Sequence, residues 1–146
     1  MKKPKTTKLL GEILVEKGII QKEQLQKALD YQAEHGGLIG EVLVSLSFAT
    51  EEAIAQCLAQ QFGFAFLPLE NYDVAKEVTA LIPKNVVSHY CLMPLDKIEN
   101  SLTVAMANPL NTEAVEDIED LTTLEIQVFV ATSTDIRNAI KKYYGE

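Results

Sequence analysis

The sequence predicts an α+β protein in which an N-terminal helical subdomain of two tandem helix-pair repeats precedes a small α+β subdomain with a short, largely antiparallel sheet. Three observations predict it. Residues 9–61 contain a duplicated block with helical periodicity. Past Gly63 the pattern changes to short apolar runs alternating with short helical stretches. A chain of 146 residues, 47% hydrophobic and 23% charged, can build one or two packed cores without disulfide or metal support.

The duplication emerges when the chain is slid by 29 positions, which lays LLGEILVEKGIIQKEQLQKALDYQ over LIGEVLVSLSFATEEAIAQCLAQQ without a gap. Eight of the 24 positions are identical: Leu9/Leu38, Gly11/Gly40, Glu12/Glu41, Leu14/Leu43, Val15/Val44, Glu23/Glu52, Leu29/Leu58 and Gln32/Gln61. Two copies are too few for a solenoid, so they are expected to pack against each other as a pseudo-symmetric pair.

Taken in order, residues 1–8 carry Lys2, Lys3, Lys5 and Lys8 and no acid, and read as a flexible basic tail. Leu10, Ile13, Leu14 and Lys17 give the first helical stripe, and Gly18 stands where a left-handed residue would stop the helix. Leu25, Ala28, Leu29 and Gln32 supply the second stripe, and His35, Gly36 and Gly37 form the loop between repeats. In the second copy Thr50 is the N-cap, Glu51 and Glu52 suit the first turn, and Ile54, Cys57, Leu58 and Gln61 form the stripe. Ser47 occupies the position of Gly18. Serine is penalised at positive φ, so this second junction is expected to bend differently.

In the second subdomain, residues 64–67 read as a strand, 71–73 as a turn and 74–81 as a helix. Pro83 opens a further short helix to about residue 89, because proline suits the first helical turn. Strands follow over 92–95 and 102–107, separated by the polar Glu99-Asn100-Ser101 turn, and Asn108-Pro109 breaks the run. Asn111 can cap a helix over 112–121, residues 125–130 alternate as a strand, and Thr132 or Ser133 starts a last helix over 135–144. The expected divisions are therefore 1–8, 9–62 and 63–146.

Charge and motifs narrow the function classes. Net charge is −8, and residues 9–146 hold 9 basic against 21 acidic side chains, a body that repels the phosphate backbone of nucleic acid. No run of 18 apolar residues exists, so the chain is not expected to be membrane-embedded. Cys57 and Cys91 lie 34 positions apart without a CxxC or a nearby His pair, which indicates neither zinc nor a disulfide framework and fits a reducing cytoplasm. GxxxxGK[ST], GxSxG, HExxH and GxGxxG are all absent, so no enzymatic activity and no catalytic or metal site is expected.

The repeat LGEILVEKGIIxxxQLxxALxxQ, five residues and a second copy resembles the N-terminal domain of type II secretion and type IV pilus assembly ATPases, the MshE N-terminal (MshEN) family. ENYDVAKEVTALIPKNVVSHYCLMPLD, LTVAMANPLNTEAVEDIEDLTTLEI and AIKKYY are similar to that domain's second half. The resemblance implies one of two roles. In one branch the tandem motif binds cyclic di-GMP, with an arginine and the apolar stripe of each repeat around the dinucleotide. In another the domain docks an inner-membrane platform protein and couples it to the ATPase motor, here in cis or in trans, on the cytoplasmic side of the membrane.

Carried over position by position, Leu10, Gly11, Leu25, Leu29 and Gln32 match the first motif, and Ile39, Gly40, Ile54, Leu58 and Gln61 match the second. These ten are the candidate ligand-binding or docking residues. The motif arginines fall on Leu9 and Leu38, and the chain's single arginine, Arg137, has no motif relationship. Each arginine contact to phosphate or guanine is worth about 1–3 kcal/mol, so the losses favour docking over nucleotide binding, with no cofactor expected and cyclic di-GMP as the alternative ligand. More bluntly, Gln32 and Gln61 read as helix-end groups bonding a nearby loop, and the Leu and Ile positions as core.

Overall fold

The computed structural model describes residues 9–145; the expected flexible tail, residues 1–8, lies outside them. The helical part comprises α1 (Leu10–Glu16), α2 (Lys22–His35), α3 (Ile39–Ser45) and α4 (Glu51–Phe62). Each helix pair has the same junction. In α1–α2, Gly18 N–H bonds the Val15 carbonyl at 3.0 Å and Ile19 N–H the Leu14 carbonyl at 2.9 Å; in α3–α4, Ser47 and Phe48 bond Val44 and Leu43 at 3.0 Å each. Gly18 has φ +75° and Ser47 φ +63°, so the second junction does not bend differently. The hydrogen bonds, with Leu46 and Phe48 packed on the helical core, hold Ser47 in the left-handed region against its own preference.

The α+β part comprises α5 (Lys76–Thr79), α6 (Lys84–Tyr90), β1 (Leu92–Ile98), β2 (Ser101–Met106), α7 (Thr112–Thr122), β3 (Glu125–Val130) and α8 (Ser133–Tyr144). β1 and β2 form the expected antiparallel hairpin about Glu99-Asn100, and Pro94 is tolerated because β1 is an edge strand with a bulge between Pro94 and Asp96. β3 joins β2 in parallel, Ser101 opposite Glu125 through Met106 opposite Val130, with α7 as the crossover that parallel pairing requires. Asn111 caps α7 by accepting from Ala114 N–H at 3.1 Å, and Thr132 caps α8 by accepting from Asp135 N–H at 3.2 Å.

Two expected elements shrink. The strand over 64–67 is reduced to a single parallel bridge, Phe66 with Val130, because Pro68 follows without an N–H to extend the ladder. The helix over 74–81 is one turn, Lys76–Thr79, after which Leu81 N–H bonds only three residues back, to Val78; Pro83 disfavours helical backbone at Ile82. Pro83 itself is the N-cap of α6. This irregular stretch is pinned to α8 by tyrosine hydroxyls. Tyr143 donates to the Tyr72 carbonyl at 2.8 Å, and Tyr144 lies 2.8 and 2.9 Å from the Thr79 and Ile82 carbonyls.

Two apolar clusters fill the molecule. One joins the sheet to α5–α8 through Val87, Leu92, Leu102, Ile118, Ile126 and Ile136; the other joins α1, α3 and α4 through Leu14, Leu43 and Leu58. Val130, at the end of β3, belongs to the helical cluster, so the sheet and the repeats meet there. Among the described residues no helix is long and apolar enough to cross a membrane.

Candidate functional site

The second repeat packs against the α+β part along a cleft of about 200 Å³. Leu10, Ile39, Gly40 and Ile54 line its helical wall, with Gln32 at one end; Tyr90, Ala107, Asn108, Ala131 and Ser133 line the opposite wall. Five of the ten motif positions thus converge here. Gln32 is also anchored locally, its Nε2 donating to the Gly37 carbonyl at 2.9 Å, as the helix-end reading expects.

The remaining five positions lie elsewhere. Leu58 is fully buried in the helical core, while Gln61, three residues further along α4, is exposed. Leu25 is half-buried and covers Gly11, where an added Cβ would come within 2.5 Å of Leu25 Cδ1. Leu29 is 40% exposed. The two positions of the missing arginines differ as well: Leu9 is 70% exposed, whereas Leu38 lines the cleft and packs against the α+β core. The two leucines that stand at the motif-arginine positions are therefore placed differently, Leu9 outside and Leu38 against the α+β core.

The cleft's electrostatics are set by residues that lie outside the ten. Glu41, beside Gly40, receives two hydrogen bonds from Arg137 on α8, Nε to Oε2 at 3.0 Å and Nη2 to Oε1 at 2.8 Å, and a third from Ser133 Oγ at 2.8 Å. Arg137 Nη1 also donates to the Ser88 carbonyl at 2.5 Å. The arginine that has no place in the motif thus clamps it, tying α3 to α6 and α8 through a planar fork. Arg137 and Ser133 hold the Glu41 carboxyl below the usual carboxylate range despite its partial burial. A second strut runs from Thr134 N–H to Glu51 Oε1 at 2.6 Å. Across the cleft the Tyr90 hydroxyl bonds Asp117 and Glu113, and the Asp117 bond is the first cause pushing its pKa up to about 12.

Glu41 and Glu51 are the charged side chains lining the cleft; among the described residues no lysine, arginine or histidine lines it. A dinucleotide with two phosphates would find apolar walls and two carboxylates. The volume also falls below the roughly 300–1,000 Å³ of small-molecule pockets. No cluster of three or more His, Cys, Asp or Glu suited to a metal occurs among the described residues. Sequence reasoning missed Arg137, Ser133 and Tyr90, because Arg137 is 96 positions from Glu41 and no local pattern connects them.

The family model of the MshEN domain matches residues 62–146. The type IV pilus assembly ATPase PilB of Myxococcus xanthus is 36% identical over 137 residues, 94% of this chain and 24% of that protein. The chain thus spans about a quarter of that relative. The structure of MshE with cdg, cyclic di-GMP, covers 94% of this chain and 99% of that one at TM-score 0.68 and 27% identity. The N-terminal domain of XpsE shares the fold at TM-score 0.74, 20% identity, and 93% and 94% coverage.

Proposed function

The chain belongs to the MshEN domain family, and from that premise we propose that it is a non-catalytic docking domain coupling a pilus- or secretion-type ATPase motor to an inner-membrane platform protein on the cytoplasmic side. The observation that carries this reading is the cleft between the second repeat and the α+β part. Its motif residues present apolar walls, and Glu41 and Glu51 present carboxylates, where a nucleotide sensor needs cations. Leu9, next in sequence to the cleft residue Leu10, adds a 70% exposed apolar side chain that a protein partner could cover. The motor is another domain or another chain, since the sequence holds no P-loop.

Co-elution of the purified chain with the cytoplasmic region of its cognate platform protein tests the reading. A stoichiometric complex that Leu9→Asp weakens supports it. Failure to associate at concentrations of about 100 μM, where weak complexes form, rejects it.

The second reading, a cyclic di-GMP sensor, is favoured by the 27% identical MshE structure with cdg, which matches nearly the full chain. On that reading Leu10, Gly11, Leu25, Leu29 and Gln32, with Ile39, Gly40, Ile54, Leu58 and Gln61, would surround the ligand. Leu58 and Gln61 do not suit it as they stand, one enclosed in core and the other outside the cleft.

A further inference from the structure

The charge at the rim of the cleft says what chemistry a docking partner must bring. Its inner surface is apolar, formed by Leu10, Ile39, Ile54, Ala107 and Ala131. Glu51 on α4 lines it, and Glu113 and Asp117 on α7, one helical turn apart, hold the hydroxyl of Tyr90, which lines the opposite wall. Arg137 does not neutralise this rim, because its guanidinium is committed to Glu41 and to the Ser88 carbonyl.

We infer that the cleft receives a protein segment bearing an apolar side chain adjacent to a lysine or arginine, with the apolar group between Ile39 and Ala131 and the cation between Glu51 and the Glu113/Asp117 pair. The inference rests on the docking reading and names the partner's chemistry. Charge complementarity selects a basic segment over an acidic one. A cleft of about 200 Å³ admits side chains rather than a folded element, and Leu9, exposed and next in sequence to the lining Leu10, adds apolar surface for a macromolecular partner.

The test is a titration of the isotope-labelled full chain, followed by amide chemical shifts, with two capped dipeptide amides, acetyl-Leu-Arg-amide and acetyl-Leu-Glu-amide. The expected result is that the arginine peptide shifts Gly40, Tyr90, Ala107 and Ala131, binding at least about tenfold more tightly than the glutamate peptide. Glu51→Gln with Asp117→Asn, which keeps an acceptor for Thr134 N–H and for the Tyr90 hydroxyl, should remove most of that preference. Equal binding of the two peptides, a preference for the glutamate peptide, shifts confined to residues outside the cleft, or no shifts up to peptide saturation would each overturn the inference. Its failure is distinguishable from that of docking. A platform complex that survives in a chain with no peptide preference places the partner on another face, whereas selective peptide binding without a platform complex leaves the cleft chemistry standing and rejects that partner.

Discussion

The two repeats share eight identical positions and the same backbone junction, yet they do unlike work. In the first, α2 buries Ala28 alone and leaves Leu29 40% exposed; in the second, α4 buries Ile54, Ala55, Cys57 and Leu58. The glutamates diverge in the same way. Glu12 stays local and accepts from Leu9 N–H at 3.3 Å, while its counterpart Glu41 reaches across the molecule to Arg137 and Ser133. A duplicated motif thus specifies helices and turns, and its place in the assembly decides which copy becomes core. The central copy is pressed between the first repeat and β3, and the outer copy keeps a free face.

The largest test of this asymmetry is truncation at the matched leucines. Leu58→Ala should cost about 2–5 kcal/mol in urea unfolding, since it opens a cavity in a closed core. Leu29→Ala should cost less than about 1 kcal/mol. Equal losses would show that both repeats are packed alike.

Next in size is the clamp. Glu41→Gln should destabilise by about 1–2 kcal/mol, discounted for the one-third exposure of both partners, while Glu12→Gln should stay within about 0.5 kcal/mol. The sign of the pH dependence follows. The native Glu41 carboxyl titrates below its ordinary value of 4.5, so the unfolded chain binds that proton first. The Glu41 contribution is complete above the ordinary carboxylate range and is lost as pH falls through the lowered native pKa. The stability difference between the wild type and Glu41→Gln should shrink steadily as pH falls from 7 through the carboxylate range.

The helical periodicity, the Asn111 cap, a helix start at Thr132 or Ser133 and the Glu99-Asn100-Ser101 turn were all legible because each depends on residues within a few positions of one another. What was illegible has longer range. Nothing local to α2 and α4 distinguishes their stripes, and the pairing of Glu41 with Arg137 spans 96 positions. Half the motif positions meet in the cleft because α3 turns its N-terminal end toward Ala131 and Ser133, a docking angle that periodicity does not encode. Ser47 carries a complementary lesson: residue preference argued for a changed bend, and tertiary packing imposed the conserved one.

That conflict yields the smallest prediction. Ser47→Gly should stabilise the chain by up to about 1 kcal/mol by relieving the left-handed strain, less the glycine's greater entropy in the unfolded state. Gly18→Ser should destabilise by a similar amount, and thermal melts of the two variants should shift in opposite directions.

The docking reading proposes that the cleft receives a protein partner rather than a dinucleotide. Calorimetric titration of the chain with cyclic di-GMP at moderate salt, with GTP as the control, tests it most directly. No binding heat at high protein concentration is the result predicted by a cleft lined by Glu41 and Glu51 and, among the described residues, by no cation. Saturable binding in the micromolar range or tighter, absent for GTP, would show that the apolar stripes suffice without the motif arginines and would make the domain a sensor.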